Sequence, residues 1–357
     1  MNQEEQKYDI EDTEIDDGTE NEPESFYYSV SSYGADYSAE VIVSKLKREQ
    51  IFVPPFQRKY VWNIQKASRF IESLLLGLPV PGIFLSQEKK LNRMLIVDGQ
   101  QRLMSLLRYY DGVFDDKVFK LKGIGTEYNG LSYKDLKESD RNRLDDSILH
   151  ATVIKQDRPS EDDSSIYMVF ERLNTGGMPL QPQEIRACIY YGEFNELLSE
   201  LIQFPAWRSL FSKINPRMKE QELLLRFFTL FYESDHYKKG FKAFLNHFMV
   251  ENRNLSLHGA DELRSLFESA ITVAVNSLGK NAFRTGTRLN AAIFDSVMIA
   301  LSKRIQSGHS IDESRFREQY TSLLNDVTYK EYVEQGTSNE KSVKGRITRA
   351  MEFLEHI

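Results

Sequence analysis

The run Ile96-Val97-Asp98-Gly99-Gln100-Gln101-Arg102-Leu103 decides how this chain is read. An apolar strand end passes directly into Asp-Gly, then into polar side chains, then into Leu103, Leu106, Leu107 and Tyr110 at helical spacing. A strand that turns abruptly into a helix leaves main-chain N–H groups without acceptors at the helix start, where the helix dipole is positive. Both effects favour an anion. Gly99 lets a ligand approach the backbone closely, and Arg102 adds a permanent positive charge one turn in. Architecture alone also accounts for the run, with Asp98 capping the helix and Arg102 solvated. Two successive glutamines neither bury well nor cap. They point toward chemistry, because glutamine orients a water beside a phosphate in small GTPases.

Working outward, residues 38–48 read as a short amphipathic helix, with Val41, Ile42 and Leu46 inward. Residues 51–53 make a brief strand ending at Pro54-Pro55, where no helix continues. Asn63 caps a helix whose apolar positions are Ala67, Phe70, Ile71, Leu74 and Leu75, and Gly77 stops it. Strands at 83–85 and 94–97 flank the short polar connection 86–93, which predicts an antiparallel hairpin. Residues 151–154 supply a further strand for the same sheet. From Ser164 onward helical patterns dominate, over 166–173, 182–191, 194–203, 220–232, 238–250, 261–278, 290–307, 313–328 and 339–353. The expectation is an α+β protein. A head with a small mixed sheet (25–192) follows a disordered acidic tail (1–24), and an all-helical C-terminal domain (193–357) completes the chain.

The 357 residues have room for two domains, and 41% hydrophobic with 28% charged content is ordinary for a soluble globular protein. No stretch approaches the roughly 20 apolar residues of a membrane helix, and an acidic start is no signal peptide. The lone Cys188 excludes an internal disulfide and a cysteine zinc cage, so a cytoplasmic protein is expected. The net charge of −7 divides unevenly. Residues 1–24 hold eleven Asp/Glu against Lys7, which leaves the remainder at +3. The lead either solubilises or competes with nucleic acid for a basic surface.

Two further segments carry chemistry-bearing residues. Pro54-Pro55-Phe56-Gln57-Arg58-Lys59-Tyr60-Val61-Trp62 sets two cations among aromatics. It reads either as a loop whose Phe56, Tyr60 and Trp62 plug the core, or as a source of cations for phosphate and ring faces for a base. Phe170-Glu171-Arg172-Leu173-Asn174-Thr175-Gly176-Gly177 suits a helix C-cap and turn. Its Arg172, Asn174 and Thr175 would also serve as nucleotide donors, with glycines permitting close approach.

Together the sets Pro-x-x-Gln-Arg-x-Tyr-x-Trp from Pro54, Val-Asp-Gly-Gln-Gln-Arg-Leu from Val97 and Phe-x-Arg-Leu-Asn-Thr-Gly-Gly from Phe170 resemble the GmrSD-type N-terminal domain family. That family occurs in bacterial phage-defence and modification-dependent restriction systems, and the resemblance covers roughly residues 38–192. It implies a ParB- and sulfiredoxin-like fold, in which a Gly-x-x-Arg turn at a helix start holds nucleotide phosphates. Here that role falls on Gly99 and Arg102. It further implies nucleoside triphosphate hydrolysis (of ATP, GTP or CTP, with Mg²⁺) coupled to action on DNA, at a motif comprising Asp98, Gly99, Gln100, Gln101 and Arg102. Gly99 and the Gln100 and Gln101 amides would hold phosphate, and Arg102 with Arg58 would offset developing charge. Gln100 or Gln101 would orient the attacking water. Asp98 would either bind Mg²⁺ or cap the turn. Gln57, Arg58, Arg172, Asn174, Thr175 and Gly176 would complete the nucleotide cleft.

The best-known members continue into an HNH-type nuclease domain with a histidine-centred metal site. The six histidines here (His150, His236, His247, His258, His309, His356) are scattered, so that half looks absent and nuclease activity would be intrinsic to the head or come from a partner. Two basic clusters remain, Lys341, Lys344, Arg346 and Arg349 in the last helix and Lys280, Arg284 and Arg288 before Asn290. Each is a solvated face or a phosphate-contacting surface. Three functions follow: a nucleotide-hydrolysing defence protein, a ParB-like DNA-binding or DNA-nicking module without obligatory nucleotide turnover, and a non-catalytic sensor acting through a partner. DNA, a partner nuclease or defence protein, and further copies of the chain are the expected partners; a membrane is not.

Overall fold

The computed structural model describes residues 10, 29–53, 60–87, 93–158, 181–211, 213–238, 240–355 and 357. The chain divides into one unit of residues 26–180 and a second comprising 1–25 and 181–357. The first is α+β and the second helical, the class expected from the sequence. Among the described residues no helix is long and apolar enough to cross a membrane.

The α+β unit is built on a five-stranded mixed sheet. Its strands are β1 (Ser29–Ser38), β2 (Ile51–Phe52), β3 (Ile83–Gln87), β4 (Met94–Asp98) and β7 (Ile148–Arg158), in the order β1-β7-β3-β4-β2. A separate two-stranded ribbon pairs β5 (Val113–Phe114) with β6 (Lys117–Val118). The predicted β3–β4 hairpin is antiparallel, and β7 lies parallel to β3 on its other side. Ser38 caps α1 (Ala39–Lys47), accepting the Val41 N–H, and Asn63 caps α2 (Ile64–Leu75), accepting that of Lys66 at 2.9 Å. Helix α2 buries Ala67, Phe70, Ile71, Leu74 and Leu75, one stripe at i, i+3, i+4, i+7 and i+8. With Ile83, Leu85 and Ile96 of the sheet and Leu103, Leu106 and Tyr109 of α3 (Gln100–Asp111), it forms the core of this unit. A fourth helix, α4 (Glu138–Asp145), leads into β7.

Sequence reasoning missed β1. No element is assigned to residues 29–37 from the sequence, yet Ser-Val-Ser-Ser-Tyr-Gly-Ala-Asp-Tyr-Ser pairs antiparallel along the whole of β7. This is an edge strand with largely exposed side chains. The ladder of main-chain bonds holds it, and no apolar alternation announces it.

In the helical unit, the helices Lys219–Glu233, Ala291–Gln306 and Glu340–Phe353 surround a buried ionic triad. Asp295 Oδ2 accepts from Arg226 Nη2 at 2.5 Å and from Arg346 Nη2 at 3.2 Å, and all three residues are buried. The basic face expected on the last helix is therefore corrected: Arg346 points into the core, Arg349 pairs with Asp326 and Glu352, and Lys344 with Glu340. Helical spacing alone could not tell a solvated arginine from one drawn inward by a buried carboxylate. The single helix expected over 313–328 is two, Glu313–Asn325 and Val327–Glu334, broken where Asp326 turns extended and caps the second by accepting the Tyr329 N–H. Of the acidic lead 1–24, only Ile10 lies within the described residues. Its side chain is buried, and its backbone bridges Leu289.

Candidate functional site

Because β3 and β4 run antiparallel, the end of β4 stands beside the start of β3, and the Asp98–Arg102 turn is built from both. Gly99 has φ +98°, in the left-handed region, and a Cβ there would lie 2.6 Å from Ile83 Cγ2. Backbone conformation and packing against β3 each demand glycine. Gly99 is also the N-cap of α3 and brings no side-chain cap. The first helical bond runs from the Leu103 N–H to the Gly99 carbonyl at 3.0 Å. The N–H groups ahead of it have no acceptor within the helix.

Asp98 and Arg102 face each other across one turn. Arg102 Nη2 donates to Asp98 Oδ2 at 2.7 Å, and Nη1 donates to the Pro81 carbonyl at 2.6 Å. Arg102 is largely buried, its side chain 12% exposed, while that of Asp98 is 45% exposed. The guanidinium plane is thus set by two acceptors, one on each side of the turn. A guanidinium has five donors, and these two bonds leave three for another anion.

Gln101 does something that spacing did not announce. Its Oε1 accepts the main-chain N–H groups of Val61 at 2.9 Å and Trp62 at 3.1 Å, tying the end of the Pro54–Trp62 motif to the start of α3. One turn on, Ser105 Oγ donates to the Gln101 carbonyl at 2.7 Å and lies 2.8 Å from the Tyr60 hydroxyl. Arg108 stacks 4.0 Å over the Tyr60 ring, and burial pushes the Tyr60 phenol above its usual range. Trp62 meets Phe70 edge to face. Tyr60 and Trp62 therefore serve the core, as the packing reading expects. Ser105 and the Pro81 carbonyl were not foreseen. For Ser105 the available signal was a serine one turn past Gln101 on the apolar face of α3.

Gln57, Arg58, Arg172, Asn174, Thr175 and Gly176 lie outside the described residues, as does the helix expected over 166–173. Among the described residues no three His, Cys, Asp or Glu side chains group closely enough to hold a metal ion. His150 pairs with Asp36, His247 faces Glu251, His258 stacks 3.6 Å from Tyr232 and His309 meets Ser307.

Residues 40–191 match the family described as GmrSD restriction endonuclease, N-terminal domain. No curated protein and no solved structure matches the chain.

Proposed function

From the match of residues 40–191 to the GmrSD restriction endonuclease N-terminal domain family we propose that the Asp98–Arg102 turn binds and hydrolyses a nucleoside triphosphate in step with DNA sensing or cleavage. A chain carrying this domain is a component of the restriction and phage-defence kind. The observation that carries the finer reading is Arg102: a largely buried guanidinium at the start of α3, oriented by Pro81 and Asp98.

In this reading the first-turn amides and Arg102 hold the terminal phosphates, and Gly99 keeps side-chain bulk away from them. Water attacks the terminal phosphorus, and the bridging P–O bond breaks with its electron pair going to the nucleoside diphosphate. Arg102 stabilises the charge that accumulates on the transferred oxygens. Gln101 holds the main chain of Val61 and Trp62 through its amide oxygen, and in this reading Gln100 orients the water. Asp98 supplies a half-exposed carboxylate, which suits Mg²⁺ held mainly by substrate phosphates and water. Bound there, the ion would neutralise phosphate charge. Arg58 and the donors of Arg172-Asn174-Thr175 would complete the cleft, with DNA and a partner nuclease as the coupled components.

The test is a hydrolysis panel of ATP, GTP and CTP, with and without DNA, on the wild type, Arg102→Ala and Asp98→Ala. Turnover should be lost in both variants while circular dichroism reports the native fold. Undiminished turnover in both would sink the assignment.

A further inference from the structure

The helical unit holds a cavity of about 760 Å³ whose charged lining is entirely basic. It lies between two segments without a single Asp or Glu. Residues 205–219 carry Arg208, Lys213, Arg217 and Lys219, and residues 279–290 carry Lys280, Arg284 and Arg288. Arg284 joins them: its Nη2 donates to the Leu210 carbonyl at 2.7 Å, while its Nε and Nη1 take the carbonyls of Lys280 and Thr287. The Phe211 ring lies beneath both Arg208 and Arg284, at 5.6 and 5.9 Å. This holds two cations on one aromatic platform.

The carboxylate that pairs with Arg208 is already committed. Glu220 is fully buried, pairs with Arg208, and takes the Trp207 indole N–H and the Asn215 main-chain N–H. Arg208 Nε is nonetheless buried with no acceptor among the described residues. Lys280 is exposed, and neither it nor Arg288 has a carboxylate partner among the described residues. Lys219 sits below the usual lysine range, first because it is buried; Glu222 opposes this, and the Arg288 charge adds to it. The backbone is held to shape as well. Phe283 is fully buried at φ +62°, a conformation that costs a bulky residue energy, and its N–H donates to the Tyr320 hydroxyl. Ser209, Asn281 and Thr287 add neutral polar groups around the rim.

Concentrated positive charge, rigidly mounted cations and neutral donors without a lining carboxylate are the chemistry of phosphate recognition. We propose that this cavity binds phosphate groups, presented either by a nucleic-acid backbone or by a free phosphate compound. The site is independent of the Asp98–Arg102 turn, and either can fail without the other.

The experiment uses the full chain with two probes, a short fluorescein-labelled DNA duplex followed by anisotropy over a salt series and inorganic phosphate followed by calorimetry. The charge-reversed variant Lys280→Glu/Arg288→Glu is compared with wild type, with Lys344→Glu as the control on another helix. If a nucleic-acid backbone is the source, the reversed variant binds duplex at least tenfold more weakly and loses about two from its salt slope, while the control is unchanged. If only phosphate binding falls, the site stands and its ligand is a free phosphate compound. Binding of neither probe by wild type, or equal binding by wild type and the reversed variant, overturns the proposal. Arg102→Ala should abolish hydrolysis, while the difference in binding between chains with and without Lys280→Glu/Arg288→Glu persists in the Arg102→Ala background.

Discussion

Gln101 Oε1 accepts the Trp62 main-chain N–H at 3.1 Å, so a side chain from the start of α3 fixes the end of a motif 39 residues earlier. The neighbouring Val61 N–H takes the same oxygen. Removing that acceptor should therefore act on position before chemistry. Gln101→Ala should lower stability by about 1–2 kcal/mol, as expected for main-chain donors that lose an acceptor. Gln101→Glu keeps an oxygen at that place and should restore most of the loss. Thermal denaturation of the two variants checks this; equal destabilisation would show that the two hydrogen bonds do not matter.

Gly99→Ala meets two obstacles, a left-handed backbone and the Ile83 methyl 2.6 Å from the new Cβ. Strain and overpacking together predict a loss of about 2–4 kcal/mol in urea denaturation. Ile83→Ala would relieve the contact and leave the strain. The double variant should accordingly lose less than the two single losses added together.

Arg102→Lys retains the charge but replaces a planar fork by one ammonium, which cannot reproduce the planar bridge from Pro81 to Asp98. Hydrolysis should drop by about 10- to 100-fold with a cooperative thermal transition preserved. Wild-type turnover from the lysine variant would mean that charge alone suffices.

Asp295 pairs with two buried guanidiniums at once. Asp295→Asn preserves size and removes the charge, leaving Arg226 and Arg346 buried without it. A loss of about 3–5 kcal/mol is expected from the urea midpoint. An unchanged midpoint would mean the two arginines find other partners in the core.

Asp326 caps Val327–Glu334 and pairs with Arg349, and its hydrogen bonds from the Arg349 side chain hold its carboxyl below the usual aspartate range. A folded-state value below the unfolded one adds stability above the unfolded value, and that stability is lost as pH falls through the folded one. Asp326→Asn should therefore be less stable than wild type near neutrality, with the gap closing below about pH 4. A gap that persists unchanged into acid would assign the role to hydrogen bonding alone.

Apart from α4, to which the sequence reading assigned no element, and the break at Asp326, the main helices of both units were legible because their apolar stripes and caps are local. Asn63, Gly77 and the stripe from Ala67 to Leu75 state α2 outright. The β3–β4 hairpin was legible because a short polar connection between apolar strands leaves little other choice. Strand β1 was not, since its polar residues are stabilised by a partner more than a hundred positions away.

By itself, the sequence determined that a strand ends at Asp98, that a helix begins beyond Gly99, and that an arginine stands one turn in. Those are local facts of backbone preference and periodicity. Tertiary structure alone decided what the residues of that turn hold. Arg102 meets Asp98 within the turn, but it reaches the Pro81 carbonyl because antiparallel pairing brings the start of β3 beside the end of β4, and the Gln101 oxygen takes the N–H groups of Val61 and Trp62 from a segment about 40 positions away. The same rule sent Arg346 inward to Asp295 while Lys344, four-residue paired with Glu340, stayed at the surface. A buried charge's partner is set by which elements pack together, and spacing along one helix records only the local i,i+4 pairs.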